Sequence, residues 1–215
     1  MADLDLQRDY WNGEGAGKTF SHPLPLDELC ARLAPQADIL DYGCGYGRAA
    51  AQLVQAGFSR VVGVDISEAL LARGRREHPD LDLRLAQGIP LPFADASFDA
   101  CLLVAVLTCV PTEAGAEAVL AEVRRLLRPG GLLLLSDYPF QPDARNIARY
   151  RQHEAEFGIY GVFRTGGAVC RHFAPQRLDA LLSGFTPAWR RDVDVPTMNG
   201  NPARITQAIA LASGR

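Results

Sequence analysis

Residues 39–48 read Ile39-Leu40-Asp41-Tyr42-Gly43-Cys44-Gly45-Tyr46-Gly47-Arg48, and the helix-forming run Ala49-Ala50-Ala51-Gln52-Leu53-Val54 follows. An apolar run, glycines spaced by single residues and a helical run spell strand, tight turn, helix. Glycine reaches positive φ and lets a ligand come close to bare backbone. The helix behind it offers unpaired N–H groups and a positive dipole end. Asp65 stands twenty residues past Gly45 and ends a second apolar run, Val61-Val62-Gly63-Val64. A carboxylate at a second strand end can grip both ribose hydroxyls of a nucleoside.

The glycine spacing departs from the dinucleotide fingerprint G-x-G-x-x-G. Here the order is G-x-G-x-G, and an acid, Asp41, sits two residues before the first glycine. An acid beside the loop repels phosphates and suits a cationic ligand. With Asp65 counted in, D-x-G-C-G-x-G resembles motif I of the class I S-adenosylmethionine (SAM) methyltransferases. Three further blocks resemble the same family. Gln87-Gly88-Ile89-Pro90-Leu91-Pro92-Phe93 followed by Ala94-Asp95-Ala96-Ser97-Phe98-Asp99 is similar to D-A-x-x-L-P-F-x-x-x-S-F-D. Asp99-Ala100-Cys101-Leu102-Leu103-Val104 is an apolar fourth strand, and Leu127-Arg128-Pro129-Gly130-Gly131 leads into a fifth, Leu132–Ser136. The blocks lie in order between residues 39 and 136, so the resemblance covers roughly the N-terminal two-thirds.

The resemblance implies a Rossmann-like α/β fold: a doubly wound sheet of seven strands, mostly parallel with an antiparallel last strand, and helices on both faces. It also implies SAM as cofactor, with S-adenosylhomocysteine as product. Asp41, Gly43, Cys44, Gly45, Gly47, Asp65 and Ile66 would hold it. Gln87 takes the place of the usual adenine-binding Asp; an amide oxygen accepts the same hydrogen bond. Gly88 would lend its N–H to the ring, and Leu103 and Val104 would touch the methionine part. The family often places His or Asn soon after this strand. Leu107-Thr108-Cys109-Val110 stands there instead, so no base is supplied by motif.

The flanks are read from the residues. Residues 1–22 form an N-terminal arm with Tyr10-Trp11-Asn12 ahead of glycines at 13, 15 and 17. Gly15-Ala16-Gly17-Lys18-Thr19 resembles a P-loop ending but lacks the full spacing and a preceding strand. The bland reading is a surface arm whose aromatics cap the sheet. The functional one is a lid over the cofactor that uses Tyr10, Trp11, Lys18 and Phe20. Leu26, Leu29 and Leu33 mark an amphipathic helix. Ser67 and Thr112 stand where helix N-caps belong, and Gly57 where a helix ends. Residues 137–173 fit no general motif and form a cap insertion after strand 5. There Tyr138, a cluster of Arg145, Arg149, Tyr150 and Arg151, then Tyr160, Arg164 and His172 combine aromatics with arginines. Such a set suits a planar or anionic small molecule; the alternative is a cap with a solvated charged face. Tyr138, Arg145, Tyr150, Tyr160, Arg164 and His172 are the candidates for binding the acceptor. His22, Tyr138, His153 and His172 are candidate bases, and spacing chooses none. Phe185–Val193 and Arg204–Ala212 supply the final strands after a helix at Pro175–Leu182.

The whole chain sets bounds. Its 215 residues suffice for one sizeable α/β domain. A net charge of −3 leaves no global nucleic-acid footprint. No apolar run reaches the roughly 18–20 residues of a membrane span, and the acidic N-terminus lacks a signal-peptide pattern. The expectation is a cytoplasmic protein, monomer or homodimer, with no nucleic-acid or membrane partner. Five cysteines without a C-x-x-C pair read as reduced thiols, with no metal site expected. The expected activity is methyl transfer from SAM to N, O or S of a small molecule. The alternatives are an RNA or protein methyltransferase and a non-catalytic SAM-binding sensor or partner subunit. The N-P-P-Y type motif of amino-group targets is absent.

Overall fold

The computed structural model describes residues 2–213; Met1, the first residue of the expected arm, and the last two residues lie outside it. Element order is α1 (Ala2–Asn12), α2 (Leu26–Arg32), β1 (Asp38–Tyr42), α3 (Arg48–Gln55), β2 (Arg60–Asp65), α4 (Glu68–Glu77), β3 (Asp82–Leu85) and β4 (Phe98–Val104). Then come α5 (Glu113–Leu126), β5 (Leu127–Asp137), α6 (Ala144–Phe157), β6 (Val162–Thr165), β7 (Ala168–Arg171), α7 (Pro175–Leu181), β8 (Phe185–Pro196) and β9 (Pro202–Ala212). Seven strands form one sheet in the order β3-β2-β1-β4-β5-β9-β8, and β6 pairs with β7 as a separate hairpin. β9, the last strand in sequence, runs antiparallel to both β5 and β8; the pairs β1–β2, β1–β4, β2–β3 and β4–β5 are parallel. This is the expected doubly wound sheet. The order reverses between β1 and β4, so a crevice opens beyond their C-terminal ends, where such sheets bind ligands.

Side-chain alternation builds the two cores. Leu40, Cys101, Leu103, Leu133 and Leu135 face α5 and α7, meeting Val119, Val123, Leu126 and Leu178. Their sequence neighbours Ile39, Ala100, Leu102, Leu132 and Leu134 face the other way, toward Leu29 of α2 and Ala50 and Leu53 of α3. Both faces are dry, so the central strands carry continuous apolar runs. Truncating one of these leucines to alanine would cost about 2–5 kcal/mol.

Ser67 caps α4 by accepting from Leu70 N–H at 3.1 Å, and Thr112 caps α5 by accepting from Gly115 N–H at 3.2 Å. Gly57 follows α3 with φ +101°, a conformation only glycine takes without strain. Three features differ from expectation. The arm begins with a helix, α1, because docking fixes it: Gln7 donates to the Val169 carbonyl at 2.6 Å and Tyr10 packs with Tyr150 and Phe163. β5 starts at Leu127, so Pro129-Gly130-Gly131 lies within the strand, Gly130 turning through φ +76°. The cap combines a helix, α6, with the β6–β7 hairpin.

Candidate active site

The glycine loop is fastened to the strand beside it. Gly43 and Cys44 donate their N–H groups to the Val64 carbonyl at 2.8 and 3.0 Å. Gly43, Gly45 and Gly47 take φ of +74°, +57° and +81°. A Cβ on Gly45 would stand 2.7 Å from the Phe20 ring, and one on Gly43 would stand 2.6 Å from Val106. The loop therefore tolerates no side chain at either position.

Asp65 closes the loop from the end of β2. Its Oδ2 accepts from Gly45 N–H at 2.7 Å and its Oδ1 from Ser67 N–H at 2.8 Å. Burial raises its pKa and the backbone donors pull it back. Each oxygen keeps lone-pair capacity for a further donor. Asp41 accepts from Ala50 N–H at 3.1 Å inside α3. Burial lifts its carboxyl to about 7, against the nearby Arg48 guanidinium.

A cavity of about 1150 Å³ runs from this loop to the cap. Single-ligand sites usually occupy roughly 300–1,000 Å³, so it has room for two reactants. Trp11, Phe20, Asp41, Gly43, Cys44, Gly45, Asp65, Ile66, Gln87, Gly88 and Val104 line it, with His22, Tyr138, Arg145 and His172. Gln87 and Gly88 follow β3, where Gln87 is exposed.

Several sequence candidates sit elsewhere. Leu103 is fully buried on the α5 side of β4, because neighbours on a strand face opposite ways. Gly47 is the N-cap of α3, where a Cβ would meet Leu81 and Leu83. Tyr10 belongs to the aromatic cluster under the cap. Lys18 does not line the cavity itself; its ammonium meets Oδ1 of the lining residue Asn199 at 3.2 Å. Tyr150 and Tyr160 pack against Phe140 and each other. Arg164 pairs with Glu156 at 2.5 Å on the surface, and His153 stacks on Phe157.

Three of the four candidate bases and donors meet. His22 and Tyr138 have ring centroids 4.9 Å apart, and Tyr138 stacks on His172 at 5.0 Å. His22 is 3 % exposed, and neither ring nitrogen has a partner among the described residues. Burial, helped by Arg48, lowers its pKa to about 4. His172 falls to about 3 by burial and the charges of Arg149 and Arg145. Both rings are thus neutral near pH 7. Tyr150 Oη lies 2.5 Å from His172 Nδ1 and also accepts from Gln141 N–H at 3.2 Å. One proton is shared between the Tyr150 hydroxyl and His172 Nδ1, and its direction follows the imidazole tautomer. His22, neutral and without a partner on either ring nitrogen among the described residues, keeps a nitrogen lone pair in reserve.

Arg48, Arg149 and Phe163 also line the cavity and are not among the sequence candidates. Arg48 closes the opening stretch itself, and Arg149 lies one helical turn beyond Arg145, so spacing of four was the available signal.

The arm latches over this site. Ser67 Oγ donates to the Trp11 carbonyl at 2.9 Å, and Asn12 Oδ1 accepts from Ala69 N–H at 3.1 Å. Phe20 stacks on Tyr46 at 5.3 Å, and Gln207 Nε2 donates to the Pro23 carbonyl at 2.6 Å.

Fold, loop and strand-end acid together form a cleft at the switch point of a doubly wound sheet. Residues 40–135 match the family model of the methyltransferase domain. A demethylmenaquinone methyltransferase of Beutenbergia cavernae is 37 % identical over 136 residues, 63 % of this chain and 51 % of that protein. A 27-O-demethylrifamycin SV methyltransferase of Amycolatopsis mediterranei is 31 % identical over 162 residues, covering 72 % and 58 %. A SAM-dependent methyltransferase of Methanosarcina mazei of known structure superposes with a TM-score of 0.83 at 24 % identity, over 90 % of this chain and 99 % of that one. Residues 40–135 thus form a methyltransferase domain of the class I SAM-dependent type. It spans about half the length of the curated relatives it matches.

Proposed function

We propose that this protein transfers the methyl group of SAM to a nitrogen, oxygen or sulfur atom of a small molecule. The observation that carries the reading is the Asp65 carboxylate locked against the glycine loop at one end of a cavity with room for a second reactant. The residues fit the cofactor: Asp65 offers acceptors to the ribose, bare Gly45 permits close approach, and Gln87 with Gly88 stands where the adenine belongs. Asp41 and Arg48 are suited to the charged amino-acid tail.

When bound, SAM supplies an electrophilic methyl carbon: the acceptor's lone pair forms the new bond as the C–S bond breaks, and that electron pair stays on sulfur. The chain's part is to align the two reactants and exclude water. Trp11 and Phe20 of the arm and α6 of the cap supply the cover. His22 can take the acceptor's proton where the acceptor carries one, and His172 and the Tyr138 hydroxyl can orient it. Enclosure between arm and cap favours a small acceptor over a macromolecule. Titration with SAM, followed by a methyl-release assay on a metabolite panel, tests the reading. Absence of SAM binding, or binding with no turnover on any small molecule, would overturn it.

A further inference from the structure

The cavity is electrically lopsided. Among the described lining residues the carboxylates are Asp41 and Asp65, both at the glycine-loop end. Arg145 and Arg149 of α6 line the cap end, where no carboxylate does. Asp143 lies 3.8 Å from Arg145 at the half-exposed rim. Arg149 lies deeper, with its guanidinium 3.6 Å above the Phe163 ring. Its Nε is buried without a partner, and among the described residues its guanidinium makes no hydrogen bond or ion pair. Arg145, one turn away, repels it. Two guanidinium groups lining one end of a cavity, with one carboxylate at the rim, are costly unless a ligand brings the missing negative charge. His172, neutral near pH 7, lines the same end and brings no negative charge to it.

Resting on the methyltransferase reading above, we propose that the methyl acceptor carries an anionic oxygen group, a carboxylate or a phosphate, gripped by Arg149 and Arg145 at the cap end. The rest of the acceptor then lies along Phe163 and Tyr138, with its nucleophilic atom toward the glycine loop. The two ends differ in charge: Asp41 and Asp65 stand with Arg48 at the glycine-loop end, while the arginines of the cap end share it with no lining carboxylate, which suits an anion. Phe163 fixes the plane of Arg149, so a two-oxygen anion meets a pre-oriented fork of N–H donors.

The test is a binding measurement that needs no turnover. The protein saturated with S-adenosylhomocysteine is titrated near pH 7 with 2-naphthoate, 2-naphthyl phosphate and the neutral 2-naphthamide. The expected result is that at least one anion binds roughly tenfold or more tightly than the amide, the size of one charge-assisted hydrogen bond. Which anion wins separates a carboxylate acceptor from a phosphate one. Arg149→Leu should bring that anion to the level of the amide, Arg145→Leu should do so in part, and both should keep S-adenosylhomocysteine affinity. Amide binding as tight as both anions in the unmodified protein overturns the proposal, whatever the variants do. So does an anion preference that survives in Arg149→Leu. Failure to bind S-adenosylhomocysteine is a separate outcome that overturns the cofactor reading, and an anion preference alongside it would still support the arginine site.

Discussion

Gly45 donates its backbone N–H to the Asp65 carboxylate at 2.7 Å, so the glycine loop and the acid of β2 move as one unit. Asp65→Ala removes the ribose acceptor and also orphans the N–H groups of Gly45 and Ser67. We expect S-adenosylhomocysteine affinity to fall by about 2–4 kcal/mol, two charge-assisted bonds' worth. Asp65→Asn keeps an acceptor for the loop and should lose less. Isothermal titration of both variants checks the order; wild-type affinity in a folded Asp65→Ala protein would remove Asp65 from the site.

Gln87 lines the cavity just beyond β3 and is exposed, at the end where the proposed site takes the adenine. Gln87→Leu should raise the dissociation constant for SAM and leave turnover at saturation close to wild type, because the reacting methyl lies at the other end of the cofactor. A fall in kcat without a change in affinity would contradict that placement.

Acid should find His22. In the fold its pKa is about 4, lowered by burial and by Arg48, against roughly 6.5 in the unfolded chain. The unfolded chain therefore takes the proton first as pH falls. Stability from this group is complete above about 6.5 and is lost as pH drops through about 4. His172, at about 3, acts in the same sense. Asp41 and Asp137, both raised to about 7 by burial, act oppositely, weakening the fold as pH rises from about 4 toward 7. Urea unfolding at pH 7 and pH 4.5 should show a smaller loss on acidification for His22→Gln than for wild type. Parallel losses would mean that His22 protonates freely in the native state.

The arm should report cofactor binding as a lid. Lys18 is the one lysine in the chain, and it sits between the 3₁₀ turn Glu14–Gly17 and Phe20 at the glycine loop. A lysine-specific protease should cut more slowly at Lys18 when S-adenosylhomocysteine is present. Equal rates in both samples would leave the arm a static wall.

Much of the site was legible because it rests on local backbone chemistry. Alternating glycines, an acid at a strand end and a proline-glycine turn each state a conformational need in the sequence itself. The lid and cap were less so. Tyr10 and Tyr150 carry the same aromatic signal as Trp11 and Phe20, yet they pack into a satellite core rather than the cavity. Lys18 has a charge fit for a carboxylate, but tertiary placement sends it to Asn199. Leu103 and Val104 are adjacent apolar residues, and only strand register tells which one faces the crevice. His22 and Tyr138, 116 positions apart in sequence, meet because the arm crosses the C-terminal end of β5, a long-range fact no window of sequence contains.

One short backbone segment serves two masters. Asp65 reaches the glycine loop, and Ser67 and Ala69, directly behind it, hold the carbonyl of Trp11 and the side chain of Asn12. Arm docking and ligand occupancy are therefore linked equilibria, and linkage is reciprocal: whatever factor the nucleoside adds to docking, docking adds to the nucleoside's affinity. The ratio of cleavage rates at Lys18 thereby becomes a meter. In the regime where opening and closing outpace cutting, it reads the free energy that the first two dozen residues lend to a molecule that they only partly touch.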